Sequence, residues 1–141
     1  MPIANLIDGT QLHYIASGSG PISVLFIHGN LANSIWWEKV MAEMPDSVTS
    51  YAIDLPGSGF TPETGERHSI NYFSNIVHQF LELKAIEKTF VVGHSMGGGI
   101  AQLLTIENPE LIDGLVLINT MPADGYHQLF DSGPQYWHSL Y

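Results

Sequence analysis

The sequence predicts an α/β fold in which a mostly parallel, doubly wound sheet carries helices on both faces. Two observations support this class: short runs that are apolar on both faces alternate with segments of helical periodicity, and turn residues end each run. Parallel strands need crossover connections of this kind, which place helices against the sheet. The predicted parallel strands span 22–27, 48–53, 89–92 and 115–118.

An additional strand is predicted before these runs, where polar and apolar residues alternate over 11–16 (QLHYIA). Such alternation is typical of an antiparallel strand with one face in water, so we expect an edge strand here. After Thr120 the strand–helix rhythm ends, and 121–141 mixes Pro, Gly and aromatic residues without a clear period. We expect residues 1–120 to form the core, followed by a separate segment over 121–141.

Three helices are predicted between the strands, each after a residue that can cap its amino end. The first follows Asn33 or Ser34, the second follows Ser69, and the third begins near Ser95 and ends at Asn108, before a proline. Their apolar residues recur at spacings of three and four. They are Trp36, Trp37, Val40, Met41 and Met44 in the first helix, Ile70, Phe73, Val77, Phe80 and Leu81 in the second, and Ile100, Leu103 and Leu104 in the third.

The composition fits one domain: the chain has 141 residues, 45% of them apolar and 13% charged. Its net charge of −10 repels phosphate backbones and anionic lipid, so neither nucleic acid nor membrane is expected as a partner. The absence of cysteine excludes disulfides, thiolate metal sites and cysteine nucleophiles. The N-terminus does not have the pattern of a signal peptide, and no apolar run approaches the ~20 residues of a membrane span, so we expect a cytoplasmic protein.

The motif Gly93-x-Ser95-x-Gly97 lies between a predicted strand and a predicted helix. A strand that turns directly into a helix holds the central residue in a strained conformation and presents its hydroxyl at the carboxyl edge of the sheet. Side chains two positions before and after the serine would collide, which requires both glycines. Because the amino end of a helix also favours negative charge, Ser95 is the candidate nucleophile.

Acyl transfer needs two donors for a developing oxyanion, and the sequence offers them from two loops. One expected donor is the backbone N–H of Met96, directly after the candidate nucleophile. The other is expected from the loop that follows the strand 22–27. Its most suitable donor is the N–H of Asn30, and the N–H of Leu31 is the neighbouring candidate.

The other residues of these two motifs are expected to have supporting roles. His28 and His94 could act as general bases, but we expect each to orient its loop through hydrogen bonds. Gly29 lies between His28 and Asn30 in the oxyanion loop. Additional glycines, Gly98 and Gly99, would let the third helix pack closely against neighbouring strands.

Together these motifs resemble the N-terminal half of an α/β-hydrolase-fold enzyme of the serine esterase, haloperoxidase and C–C hydrolase branch. The resemblance is carried by FIHGN (26–30), DLPGSG (54–59), VVGHSMGGG (91–99) and LVLINT (115–120). It implies a serine hydrolase without a metal or organic cofactor, and it makes Asp54 a structural residue at a strand end. In this family epoxide hydrolases and haloalkane dehalogenases use a carboxylate nucleophile, so a serine at this position argues against those activities.

The resemblance also implies a catalytic acid and a histidine after the nucleophile, in the order Ser, Asp or Glu, His. Within the tail, Asp124 followed by His127 or His138 has this order. A tail without a scaffold of its own is poorly suited to hold a histidine about 3 Å from the serine hydroxyl. We therefore expect the acid and base to lie outside this chain, with Ser95–Asp124–His138 as the alternative within it.

Two interpretations of the segment 121–141 are equally supported. It could begin a lid whose aromatic side chains line an acyl pocket, or the same side chains could cover core surface. The aromatic residues are Tyr126, Phe130, Tyr136 and Trp137.

Two functional hypotheses follow from the sequence. In the first, Ser95 attacks a small-molecule carboxylic ester, thioester or lactone and forms an acyl-enzyme, with perhydrolase-type haloperoxidase and C–C bond hydrolase activity left open. In the second, the chain is a catalytically incomplete assembly half. A sheet that ends at the strand 115–118 has an unpaired edge, so we expect a complementary C-terminal segment or a second copy of the chain as partner.

Overall fold

Six strands form one mixed sheet in the order β1-β2-β4-β3-β5-β6 in the computed structural model, which describes residues 2–123. Strands β3 to β6 run parallel, and β1 and β2 are antiparallel to their neighbours. The predicted α/β class with a mostly parallel sheet is confirmed. The strands are β1 (Ile3–Asn5), β2 (Gln11–Ser17), β3 (Ile22–Ile27), β4 (Val48–Ile53), β5 (Thr89–His94) and β6 (Ile112–Ile118).

The unbroken apolar sequence of the central strands results from two cores, one on each face of the sheet. Successive side chains of a strand point to opposite faces. In β3, Val24 and Phe26 therefore pack in one core with Trp37 and Met41. The alternate residues of β3, Leu25 and Ile27, pack in the other core with α2 (Ile70–Leu83) and α3 (Met96–Glu107).

The two longer helices agree closely with their sequence patterns. Ser69 caps α2, and its hydroxyl accepts a hydrogen bond from the N–H of Tyr72. The five apolar residues predicted for its inner face are all buried. α3 begins at Met96, directly after Ser95, and ends at Glu107, where Asn108 and a proline prevent its continuation.

The first helix is shorter and turned differently from the prediction. Asn33 caps a 3₁₀ turn (Ser34–Trp37), which is followed by a single α-helical segment, α1 (Glu38–Ala42). The inner face contains Trp37 and Met41, whereas Trp36 is 62% exposed and Val40 is 43% exposed. The tighter 3₁₀ turn rotates the later side chains relative to an α-helix, so the predicted apolar face was wrong in part.

The predicted edge strand 11–16 is not at the edge. β2 pairs with β4 on one side, and β1 covers its other side, with Ala4 opposite Leu12. The three-residue β1 is too short to produce a clear alternation pattern in the sequence. At the opposite end of the sheet, β6 pairs only with β5 among the described strands, and Val116, Leu117 and Ile118 remain 38–51% exposed.

Strand register brings three loops to one edge of the sheet. Ile27 of β3 lies opposite Ile53 of β4 and opposite Gly93 of β5. The residues that follow these strand positions, including His28, Asp54 and Ser95, are therefore neighbours at the carboxyl edge. This edge is where ligands bind in open α/β sheets.

Candidate active site

Ser95 occupies the sharp turn between β5 and α3, with φ 53° and ψ −117°. A non-glycine residue with positive φ is strained and persists only where its surroundings hold it. The Ser95 N–H donates to the Ile118 carbonyl at 3.0 Å, and the Ser95 carbonyl accepts from Gly98 N–H at 3.0 Å and from Met121 N–H at 3.1 Å. The serine backbone is thus bound both to α3 and to the chain at the end of β6.

The two glycines of the motif are required by backbone contacts. A Cβ at Gly93 would lie 2.6 Å from Gly98 Cα, and a Cβ at Gly97 would lie 2.5 Å from the carbonyl oxygen of His28. Real Cβ atoms do not approach backbone atoms so closely, so neither position accepts a side chain. The Gly97 contact also shows that the start of α3 packs directly against the end of β3.

The loop after β3 lies against the turn that carries Ser95. A Cβ at Gly29 would be 3.0 Å from Ser95 Cβ and 3.1 Å from the His94 carbonyl oxygen, so a side chain here would have to displace these neighbours by a few tenths of an ångström. The structure therefore places the start of this loop beside Ser95 and, through the contact of His28 with Gly97, beside the first turn of α3. As the first residue of α3, Met96 has a backbone N–H without an acceptor inside the helix.

Asn30 and Leu31 have different hydrogen-bond environments in this loop. The Leu31 N–H donates to the side-chain oxygen of Asn30 at 3.1 Å, and Leu31 itself has φ 59°. The Asn30 N–H has no acceptor among residues 2–123. The geometry thus leaves the Asn30 N–H available and occupies the Leu31 N–H; the sequence ranked Asn30 before Leu31 but gave no hydrogen bond that separates them.

His28 is buried and bonded at both ring nitrogens. Its Nδ1 lies 2.7 Å from the Gly29 carbonyl oxygen, and its Nε2 lies 3.1 Å from the Leu55 nitrogen. A carbonyl can only accept and an N–H can only donate, so the proton is on Nδ1. Burial lowers the pKa of His28 below its usual value, although the hydrogen bond to Gly29 and the charge of Asp54 oppose this effect. The ring is therefore neutral and has no free nitrogen for proton transfer.

The hydrogen bonds expected of the His94 side chain are absent among residues 2–123, and the ring contacts its neighbours by packing instead. Its ring lies 5.9 Å from the ring of Trp36, measured between centroids. Its Nδ1 is buried and has no hydrogen-bond partner among residues 2–123, and it would lie 2.9 Å from a Cβ at Gly29. Trp36 is therefore an exposed neighbour of the site, whereas the sequence pattern assigned this side chain to the core.

Asp54 connects two loops at this edge of the sheet. Its side chain is fully buried, and its carboxylate oxygens accept hydrogen bonds from Ser34 N–H at 2.7 Å and from Phe60 N–H at 2.9 Å. The loop after β3 and the loop after β4 are therefore bonded to one carboxylate. The sequence indicated a structural aspartate here but not its link to Ser34, since no local pattern joins residues twenty positions apart.

Gln102 of α3 is another supporting residue that sequence reasoning missed. Its side-chain amide donates to the Met121 carbonyl at 2.8 Å and to the Thr120 hydroxyl at 3.0 Å. These bonds hold the chain after β6 against α3, next to the Ser95 carbonyl. A glutamine on a helix face gives no sequence signal of such a role.

The described residues bring no general base to the serine hydroxyl. Ser95 Oγ forms no hydrogen bond within residues 2–123. Asp124, His127 and His138 lie outside the described residues, as do the aromatic residues predicted to line an acyl pocket. In the same part of the chain, no three His, Asp or Glu side chains are grouped so that they could hold a metal ion.

The strand order, the turn at Ser95 and the adjoining loop agree with one known fold. The sequence pattern of the family described as the alpha/beta hydrolase fold matches residues 22–140. The chain belongs to the α/β hydrolase fold family. None of the helices described between residues 2 and 123 is long and apolar enough to cross a membrane.

Individual relatives of this chain are named for different activities. The chain is 32% identical over 127 residues to the dihydrolipoyllysine-residue acetyltransferase component of an acetoin cleaving system from Cupriavidus necator, covering 90% of this chain and 33% of that protein. It is 30% identical over 106 residues to a pimeloyl-[acyl-carrier protein] methyl ester esterase from Wigglesworthia glossinidia brevipalpis, covering 75% of this chain and 39% of the esterase. The chain thus spans well under half the length of these two relatives.

The solved structure of another protein has the same fold as this chain. The epoxide hydrolase CorEH superposes with a TM-score of 0.81 at 24% sequence identity, over 86% of this chain and 42% of that chain. At this identity the likeness concerns the fold and not the reaction. Several relatives are named as hydrolases of different kinds, and one is named as an acetyltransferase component, so family membership supports hydrolase activity of the fold without selecting a substrate.

Proposed function

We propose that this chain carries the nucleophile and the oxyanion site of a serine hydrolase that acts on carboxylic esters, thioesters or lactones. The observation that carries the proposal is the meeting of Ser95, in its strained turn, with the loop containing Gly29 and the free Asn30 N–H. The name of the 30% identical esterase supports an ester as the substrate class. The hydroxyl at the turn, in place of a carboxylate, favours acyl transfer over epoxide opening.

In the proposed reaction, Ser95 Oγ attacks the substrate carbonyl carbon while its proton passes to a histidine base. The carbonyl π electrons move to oxygen, and the N–H groups of Met96 and Asn30 donate to the resulting oxyanion. Collapse of this intermediate breaks the bond to the leaving group, which takes the proton from the histidine. In the second half of the reaction the histidine takes a proton from water while that water attacks the carbonyl carbon of the acyl-enzyme. The bond to Ser95 Oγ then breaks, the histidine returns the proton to Ser95, and the carboxylic acid is released.

The histidine and its carboxylate partner are proposed to lie outside residues 2–123. His28 is committed to Gly29 and Leu55 through both ring nitrogens, so it is not available as the base. A complementary segment outside this chain is the favoured source. Asp124 and His138 are the alternative source within the chain.

Reaction with an alkyl fluorophosphonate tests the nucleophile. We expect a covalent adduct on the Ser95 peptide in intact-mass and peptide-mapping spectra, because these reagents need an activated serine hydroxyl near an oxyanion site. Ser95→Ala should remove the adduct and lower ester turnover by about 10³-fold or more. Its melting temperature should stay close to that of the wild-type chain, since Ser95 Oγ makes no hydrogen bond in residues 2–123.

The source of the base is tested in the same experiment. His138→Gln and Asp124→Asn should leave labelling of a complex with a complementary segment unchanged if the base comes from that segment. If the isolated chain is labelled and His138→Gln abolishes labelling, the tail supplies the base. Unchanged labelling of the Ser95→Ala variant would contradict the proposed nucleophile.

A further inference from the structure

We propose that His28 is a positioning residue for the oxyanion site, because its ring fixes the peptide group between Gly29 and Asn30 and so turns the Asn30 N–H toward the substrate side. The inference rests on the proposed function, in which this N–H is one of two oxyanion donors. His28 itself does not touch the substrate. It acts through the orientation of a single peptide plane.

The argument begins with the geometry of that peptide group. The Gly29 carbonyl oxygen accepts from His28 Nδ1 at 2.7 Å and from Ala32 N–H at 3.3 Å. The carbonyl and the N–H of Asn30 belong to one planar trans unit and point in opposite directions. Two hydrogen bonds that hold the carbonyl toward the loop interior therefore hold the Asn30 N–H away from it.

The ring of His28 has no freedom to release this carbonyl. Leu55 N–H donates to Nε2 at 3.1 Å, which requires a lone pair there and places the ring proton on Nδ1. The ring is only 1% exposed, and it lies between the ends of β3 and β4. The loop after β4 thus determines the tautomer of a histidine that in turn orients a peptide after β3.

The neighbouring N–H groups do not share this arrangement. The Leu31 N–H is taken by the side chain of Asn30, and the Ala32 N–H is taken by the Gly29 carbonyl. The Asn30 N–H, by contrast, has no acceptor among residues 2–123. A preoriented donor of this kind needs no reorganisation during the reaction, which is the physical source of oxyanion stabilisation.

Two substitutions separate the hydrogen bonds of His28. The amide nitrogen of Asn can take the place of Nδ1, so His28→Asn keeps a donor to Gly29 but loses the acceptor for Leu55. The side-chain oxygen of Gln can take the place of Nε2, so His28→Gln keeps the acceptor and loses the donor. Each variant loses one buried hydrogen bond, which makes them matched controls for stability.

The first measurement is the residual dipolar coupling of the Asn30 N–H in weakly aligned, ¹⁵N-labelled protein. This coupling reports the direction of the bond and needs no enzymatic activity. We expect the wild-type chain and His28→Asn to give the same coupling, consistent with the structure. We expect His28→Gln to give a changed or averaged coupling at Asn30, while couplings in β3 and α3 stay the same.

The second measurement is ester turnover, using Ser95→Ala as the blank. His28→Gln should lower kcat by about 10- to 100-fold with little change in KM, because the donor matters most in the transition state. The loss in His28→Asn should stay within about threefold. Both variants should melt a few degrees below wild type.

Two outcomes overturn the inference. One is an unchanged Asn30 coupling in His28→Gln, and the other is equal loss of kcat in both variants in proportion to their lost stability, which is what a purely structural histidine would give. Failure of the proposed function looks different: the wild-type chain, with its complementary segment, would show no turnover that depends on Ser95. The dipolar couplings would then still decide whether His28 orients the peptide.

Discussion

Ser95 and Leu31 both have positive φ, at 53° and 59°, and they lie on the two loops that meet at the candidate site. Backbone strain of this kind costs of order 1–3 kcal/mol per residue, so surrounding contacts must offset it. At Ser95 the offset comes from hydrogen bonds to β6 and α3. At Leu31 it includes the bond from its own N–H to the side chain of Asn30. Two of the four non-glycine residues with positive φ in residues 2–123 thus lie where the proposed reaction takes place, whereas Ala85 lies just after α2.

His28 makes stability depend on pH at the scale of a single residue. Burial lowers its pKa in the folded protein below the usual value of 6.5. The unfolded chain therefore takes up this proton before the folded chain does as pH falls. The contribution of neutral His28 to the free energy of unfolding is fully present above about pH 6.5. This contribution decreases as pH falls from there toward the lowered pKa of the folded protein.

Urea unfolding of wild-type and His28→Asn proteins between about pH 5 and 7.5 measures this effect. The free energy of unfolding of the wild-type chain should fall more steeply below about pH 6.5 than that of the variant, which cannot titrate at this position. Parallel curves over the whole range would show that His28 binds the proton equally in both states. The other histidines are common to both proteins and cancel in the comparison.

At the scale of elements, Asp54 couples the loop after β3 to the loop after β4. Its buried carboxylate accepts from Ser34 and from Phe60, and Leu55 beside it donates to His28. The short α1 segment follows the first of these loops. Its position over the sheet is thus tied to the same carboxylate that anchors the turn after β4.

Asp54→Asn should destabilise the fold, because the NH₂ group of the amide replaces one of the two oxygens that accept hydrogen bonds. This NH₂ group would then face a backbone N–H, and neither donor would have an acceptor. A buried donor without a partner costs about 1–3 kcal/mol, so the free energy of unfolding should fall by about that amount. Asp113→Asn is the matched control. Its carboxylate is 40% exposed and pairs with Lys88 at 3.5 Å, and such a surface pair contributes no more than about 1 kcal/mol. Equal losses in the two variants would contradict the structural role assigned to Asp54.

At the scale of the whole molecule, the two edges of the sheet differ. One edge of the sheet is β1, an antiparallel strand of only three residues. At the other end, the seven-residue β6 has a neighbour on one side only among the described strands. Val116 of β6 is 51% exposed, and the residues around it are also apolar. An open apolar strand of this type favours pairing with another chain.

We predict from this edge that the isolated 141-residue chain is not a lone monomer, so light scattering should give a mass above 15.5 kDa. Val116→Lys should weaken the association, because a charge on an edge strand opposes pairing. Ile7→Lys is the control, since Ile7 is 93% exposed at the other end of the sheet. A stable mass near 15.5 kDa for the unmodified chain would refute the prediction.

Much of this architecture could be predicted because its signals are local. The runs 22–27 and 48–53 coincide with β3 and β4, the cap at Ser69 coincides with the start of α2, and the serine turn lies between β5 and α3 as its motif indicates. Each of these depends on a few consecutive residues. Periodicity, capping and close glycine spacing are properties that a short sequence window contains.

The sequence by itself determined five of the six strands, the two longer helices, the family and the residue at the turn between β5 and α3. Only the tertiary structure decided that β1 lies outside β2, that Trp36 is exposed, and that the Asn30 N–H is free while the Leu31 N–H is not. The same holds for His28, whose ring bonds to the neighbouring residue Gly29 and to Leu55 in the loop after β4. These features depend on hydrogen bonds and contacts between segments that are distant in the chain, and such contacts exist only after the sheet has brought its strand ends together.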